Sequence, residues 1–201
     1  MDLLLISVLG SRYYYNLLLI NCVYIYDQFE GEESMNSILV VGSGSFATEV
    51  EEILILSGYS NIAFVDDCPE KARCKPVIGK ISELAPLREK YDTAVVALGN
   101  NELRIKYTSE LEKHGYRIPV LIHPRAYVSK DAVLEPGCIV REFAIVGRYA
   151  HLKRACIINA GAAIDHDCIL GEGTHCLIGS VVRNKNIVAP MTWVPANTVI
   201  E

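Results

Sequence analysis

A chain of 201 residues is long enough to bury one large core or two smaller ones. With 51% hydrophobic, 21% charged and 8% aromatic residues it has an ordinary globular composition, which excludes the disordered and collagen-like classes. A formal net charge of −5 leaves no electrostatic footprint for nucleic acid, so an anionic ligand has to be held by local amides or a few placed cations.

In chain order, the first feature is an apolar run over residues 3–26, LLLISVLGSRYYYNLLLINCVYIY. It is almost long enough to cross a bilayer, but Arg12, Asn16 and Asn21 lie inside it, so a membrane contact through this run is not favoured. It lacks the basic start and small-residue cleavage site of a secretory signal, and the acidic DQFEGEES after it reads as a linker. Residues 1–34 are therefore expected to be an extension ahead of a domain that begins near Met35. Seven cysteines without a CxxC pair fit neither a disulfide framework nor a zinc site, which points to a reducing cytoplasm and no metal.

From Met35 the pattern predicts a strand, a glycine turn and a helix through NSILVVGSGSFATEVEEILILSGY. NIAFVDD predicts a second parallel strand ending at Asp66 and Asp67, and TAVVALGNNELR a third ending at Gly99, with a helix to about His114. Residues 35–120 thus form a small open α/β domain whose ligands belong at the carboxyl ends of its strands. Gly42-Ser43-Gly44-Ser45-Phe46-Ala47 is a GxGxxA loop between strand and helix, where bare backbone can approach a phosphate at the positive helix end. Asp66 or Asp67 stands where a dinucleotide fold holds a ribose hydroxyl, so a dinucleotide stays open. With only three evident strands, a mononucleotide or nucleotide-sugar fits better, and helix caps or turn positions are the other reading of these acids.

After Pro119 the period becomes six: LIHPRA, YVSKDA, VLEPGC, IVREFA, IVGRYA, HLKRAC, IINAGA, AIDHDC, ILGEGT, HCLIGS, VVRNKN, IVAPMT, WVPANT, then VIE. The second position is Ile, Val or Leu except at Cys176, and the sixth is small except at Asn186. A period of six fits neither a helix nor a plain strand, but it suits a prism with six residues per side and 18 per coil. Residues 121–201 are expected to be a parallel β-helix, with Cys138, Cys156 and Cys168 as small packing residues at its corners.

The order of these motifs, VVGSGSFATEV, FVDD, ALGNNELR, LIHPRAYVS and INAGAAIDHDCILGEGTHCLIGS, resembles the PglD/NeuD-type sugar acetyltransferases of the hexapeptide-repeat superfamily. That resemblance implies a Rossmann-like nucleotide-sugar domain followed by a left-handed β-helix, acetyl-CoA as cosubstrate, and a homotrimer with each coenzyme site between two prisms. It implies a substrate pocket at Gly42, Gly44, Ser45, Asp66, Asp67 and Asn100, with Asn159 near the sugar. It places the general base at His166 with Asp167 behind it, although the family commonly has Glu there. His175 is expected to contact the thioester region, with the Gly179 N–H aimed at its carbonyl.

The residues agree with such chemistry. Acetyl transfer from a thioester to an amine requires proton removal from the nucleophile, and imidazole suits that task near neutral pH. A carboxylate on the far ring nitrogen would fix the tautomer and stabilise the imidazolium. His166 occupies the fourth place of its hexad and is expected to face outward. The 18-residue coil stacks it between Arg148 and Asn184, so that Arg148 is either a cation holding the imidazole neutral or a member of a solvated column. Asp165 stacks between Gly147 and Arg183 and is expected to be paired. His114 and His123 are expected to be structural or solvated, and His151 has no assigned role.

The favoured reading is an acetyl-CoA-dependent N-acetyltransferase acting on a nucleotide-linked amino sugar. The alternatives are an O-acetyltransferase acting on a sialic acid or another sugar, and a non-catalytic scaffold. Family members usually continue for another coil or more, so the β-helix is expected to be short at its C-terminus, with activity in question.

Overall fold

The computed structural model describes residues 37–201; the extension at residues 1–34, including the apolar run at 3–26, lies outside the described residues. Among them, no helix is long and apolar enough to cross a membrane.

The chain enters through β1 (Ser37–Val41), whose continuous aliphatic run suits a central parallel strand covered on both faces. The Gly42–Gly44 turn leads into α1 (Ser45–Leu56), which buries Ala47, Val50, Ile53 and Leu54. β2 (Asn61–Val65) follows, then β3 (Val77–Gly79), a one-turn α2 (Leu84–Leu87), β4 (Ala94–Val96) and α3 (Asn101–Lys113). The sheet order is β3-β2-β1-β4, all parallel. The sequence announces three of these strands; β3, a three-residue edge strand next to Pro76, is too short to carry a periodicity. Val41 pairs with Val65 on one side and Val96 on the other, so the three carboxyl ends finish level. That register delivers the glycine loop, Asp66-Asp67 and the Leu98–Asn100 loop to one edge.

From Leu121 the described chain winds as a left-handed β-helix with fourteen two-residue strands, β5 (Leu121–Ile122) to β18 (Val199–Ile200), one opening each hexad. Strands 18 residues apart pair in parallel and build three sheets, as in Ile139, Ile157, His175 and Trp193. Second-position residues from Val140 to Val194 line the axis together with corner residues Cys138, Ala144, Ala150, Cys156, Ala162 and Cys168, all buried. The corner cysteines are packing residues, and burial raises the thiol pKa of Cys138 and Cys168.

The fifth position carries a rule that the small sixth position conceals. Its φ is positive in every coil from Gly137 to Asn197, including at Phe143, Tyr149, Ala155 and Asp167. From Ala155 on, its N–H donates to the fourth-position carbonyl one coil back, as in Asp167 to Arg148 (2.9 Å) and Lys185 to His166 (3.1 Å). Glycine at 137, 161, 173 and 179 is the sequence trace of this left-handed corner.

The two halves share a core. Leu121, Ile139 and Ile157 point outward from one prism face and pack with Ile38, Val40, Val50, Phe64 and Val95. Arg104 of α3, fully buried, crosses this junction. Its guanidinium donates to the carbonyls of Leu98 and Gly99 within the α/β half and to those of Ala155 and Gly173 in the β-helix, all within 3.0 Å. Burial pushes its pKa down to about 10, which leaves it charged at neutral pH.

Candidate active site

His166 stands at the corner between the strands Ala163–Ile164 and Ile169–Leu170, with 47% of its side chain exposed. Its Nδ1 lies 2.7 Å from Asp167 Oδ2, so the shorter aspartate arm reaches the ring. The left-handed backbone at Asp167 (φ 61°) tightens the corner, and the carboxylate of the very next residue meets the imidazole. Asp165 serves the backbone instead, its Oδ1 accepting the His166 N–H at 2.7 Å. The adjacent acids therefore divide the work: one shapes the turn, the other orients the ring. Gly147 lies directly beneath this turn; a Cβ there would come within 2.8 Å of Asp165 C and His166 N, so the coil closes only over glycine.

Of the two readings of Arg148 the solvated column holds, and the expected pairing of Asp165 is corrected. Arg148 directs its Nε to Asp131 Oδ2 at 2.8 Å and lies over the Tyr149 ring at 5.2 Å. It belongs to a solvated column rather than to the imidazole, because a carboxylate one coil back offers a direct partner. Arg183 bonds Glu201 and leaves Asp165 to the backbone.

His175 opens the strand His175–Cys176 on the prism face that meets the α/β half. Only 4% of it is exposed. Its ring is 4.9 Å from Trp193, one coil further on, and 6.2 Å from Phe46 of the glycine loop helix. Burial pushes the imidazole pKa down to about 4, aided by the Arg104 charge and opposed by the Gly99 carbonyl, so the ring is neutral at physiological pH. Nε2 faces Asn159 Nδ2 at 3.4 Å, while the buried Nδ1 has no hydrogen-bond partner among the described residues.

Gly179 does not offer the expected amide. Its N–H donates to Ala160 O at 3.0 Å, because from Ala155 on the fifth-position amide closes the ladder with the coil below. Its lack of a side chain has a packing reason instead, since a Cβ would run into Asn197 Oδ1.

At the strand ends, Gly42 (φ 98°) lets the loop pack against β4; a Cβ would sit 2.7 Å from the Leu98 side chain. Gly44 caps α1 with no side-chain bond, and Ser45 opens the helix, so the first turn is free to meet an anion. Asp66 accepts from both the N–H and the hydroxyl of Ser43, each at 2.7 Å, and from Cys68 N–H at 2.8 Å. Burial pulls its pKa up, yet these hydrogen bonds prevail and hold the carboxyl below the usual range. Asp67 accepts from Ile81 N–H at 3.1 Å, and Asn100 caps α3 by accepting from Leu103 N–H at 2.9 Å. These polar groups shape the strand-end loops. Beside them opens a cavity of about 470 Å³ lined by Asp66, Pro69, Val77, Gly79, Lys80 and Glu83.

Phe46, Arg104, Arg141 and Trp193 surround His175 without having been singled out from sequence. Trp193 was within reach, since it is the first-position residue 18 beyond His175. Arg141 was within reach as well, since it stands one coil below Asn159 in the same register, whereas Phe46 and Arg104 meet His175 across the domain junction, for which no sequence period exists.

The α/β half matches the PglD N-terminal domain family over residues 37–111. PerB from Caulobacter crescentus, solved with CoA and GDP-perosamine, superposes with a TM-score of 0.74 at 28% identity, covering 83% of this chain and 89% of that one. The acetyltransferase domain of PglB from Neisseria gonorrhoeae superposes with a TM-score of 0.71 at 30% identity, covering 83% of this chain and 91% of that domain. The same domain in complex with acetyl coenzyme A gives a TM-score of 0.68 at 30% identity, over 77% and 85% of the two chains. With the glycine-loop domain, the hexad prism and these likenesses together, the chain belongs to the PglD/NeuD-type sugar acetyltransferases of the hexapeptide-repeat superfamily and is an acyltransferase.

Proposed function

We propose that the chain transfers acetyl from acetyl-CoA to the amino group of a nucleotide-linked amino sugar, with His166 as general base. The observation that carries this reading is the His166–Asp167 pair: the carboxylate occupies Nδ1 at 2.7 Å and leaves Nε2 as the open nitrogen at an exposed corner. The solved relatives with CoA and GDP-perosamine and with acetyl coenzyme A support the substrate class. As the sugar amine attacks the thioester carbonyl carbon, His166 Nε2 takes its proton, and Asp167 stabilises the imidazolium. When the tetrahedral intermediate collapses and the C–S bond breaks, the imidazolium returns that proton to the departing thiolate. On this reading Gly42, Gly44, Ser45, Asp66, Asp67 and Asn100 form the nucleotide end of the site, and Asn159 and His175 lie toward the sugar and the thioester.

The prism adds a constraint. His166 and His175 are nine residues apart, half of an 18-residue coil, so the corner carrying one lies opposite the face carrying the other. A single site that uses both takes His166 from one subunit and His175 from its neighbour. An outward apolar column beside the His166 corner, Tyr127, Ile145, Ala163, Val181 and Val199, supports such packing. We assign a homotrimer on that ground.

The test uses the full chain with acetyl-CoA and a panel of nucleotide-linked amino sugars. His166→Asn should lower kcat by roughly 10²- to 10⁴-fold without loss of fold, and Asp167→Asn by less. Co-expression of His166→Asn with His175→Ala should restore activity that neither variant has alone, because mixed assemblies contain sites with both histidines intact. Absence of restoration would remove the shared site. An acetyl product cleaved by hydroxylamine would identify an ester and replace the amine acceptor by a hydroxyl.

A further inference from the structure

Two donors converge on a single atom of Asn159: Arg141 Nη1 at 3.0 Å and the Ala160 N–H at 2.8 Å. Only a carbonyl oxygen can accept both, so the Asn159 amide has one orientation, and its NH₂ is the group 3.4 Å from His175 Nε2. Arg141 is itself held on all sides. Its Nε and Nη2 bond both oxygens of Glu142, at 3.1 Å and 2.8 Å, and Nη2 also meets Glu49 of α1. From the third position of its hexad, directly below Asn159 in the coil register, Arg141 thus reaches up to Asn159 and across to the helix that follows the glycine loop.

We infer that Arg141 is a positioning residue that, through Asn159, sets His175 as the Nδ1–H tautomer, so that the buried ring presents a donor hydrogen to an acceptor oxygen of the bound reactants. The logic is one of complementary roles. Asn159 Nδ2 can only donate, so His175 Nε2 has to carry its lone pair, and a neutral ring then has its proton on Nδ1. Nδ1 is the buried atom that makes no hydrogen bond of good geometry among the described residues, while the Gly99 carbonyl near the ring favours a proton on it. A buried N–H without an acceptor is rare in folded proteins and points to a ligand group. Phe46 and Trp193 flank the ring, and the Arg104 and Arg141 charges near it disfavour imidazolium. The group that completes such a site is an oxygen without a proton to give, such as a thioester carbonyl gaining negative charge; an ammonium would meet the wrong end of the dipole. This inference rests on the acetyl-transfer reading for the identity of that oxygen, but the tautomer does not depend on it.

The experiment is nitrogen-15 NMR of histidine-labelled full-length protein at neutral pH without substrate, with His175→Gln used to assign the signal among the five histidines. Wild type should show a protonated, pyrrole-type Nδ1 and a pyridine-type Nε2 at His175. Asn159→Asp replaces the donor by an acceptor of the same shape and should move the proton to Nε2. Its kcat should fall roughly 10²-fold, as when one donor to a developing oxyanion is lost. Arg141→Met should leave a mixture of tautomers, and Arg141→Lys should recover the Nδ1–H form. A pyrrole-type Nε2 in wild type would overturn the inference, and an unchanged ring in Arg141→Met would remove Arg141 from it. An Nδ1–H ring in a chain that transfers no acetyl would support the positioning role while sinking the acetyl-transfer reading.

Discussion

The corner at His166 and the face at His175 belong to one β-helix, yet different forces secure them. The corner is built by coil stacking alone: Gly147 beneath, a left-handed Asp167, and amides bonded to the coils on either side. The face is built by docking, with Phe46 and Glu49 of α1 and Arg104 of α3 packed or bonded against it. Among the described residues, one histidine is therefore half-exposed with nothing bonded to Nε2, the other enclosed, neutral and without a hydrogen bond at Nδ1. Environments so different suit different tasks, proton transfer in the open and hydrogen-bond donation in a dry cleft.

Three variants separate the two regions, the strongest first. Arg104→Met should damage the docked face, because it leaves buried carbonyls of Leu98, Gly99, Ala155 and Gly173 without their donor. We expect a loss of about 3 kcal/mol, which corresponds to a Tm lower by roughly 6–12 °C for a chain of this size. Trp193, the one tryptophan of the chain, should report the loosened junction as a shift in its emission. A calorimetric Tm within about 2 °C of wild type, less than roughly 1 kcal/mol, would mean that the apolar contacts secure the face without this cation.

Gly147→Val should strike the corner and spare the face. The new Cβ meets backbone at 2.8 Å and displaces the turn that presents His166. A displacement of about 1 Å at a reacting group is enough to lower kcat roughly 10²-fold. The emission of Trp193 should stay that of wild type. Turnover close to wild type would show that the corner adjusts and that its geometry is not what aligns the base.

Arg148→Ala should do least. With its guanidinium engaged by Asp131 and Tyr149, its removal should change kcat by no more than about twofold. A fall well beyond that in a steady-state assay would return this cation to the neighbourhood of the imidazole.

Much of this molecule is written in the order of its residues. A six-residue period names the prism and its 18-residue coil, and from that register come the outward place of His166, its neighbours Gly147 and Arg148, and the column joining His175 to Trp193. The glycine loop and the strand-end acids mark the level edge of the sheet for the same reason, since each is a local consequence of strand, turn and helix. Partnership is another matter. Which coil Arg148 bonds to, that Gly179 gives its amide to Ala160, and that Asp66 clamps Ser43 rather than standing open are outcomes of competition among nearby groups. The burial of His175 depends on α1 and α3 folding back onto the prism, contacts that span up to 129 positions between Phe46 and His175. A period fixes neighbours along a coil because it repeats in the covalent chain. Contacts across a junction follow no period, so they are settled only where two finished surfaces meet and desolvate each other's polar groups.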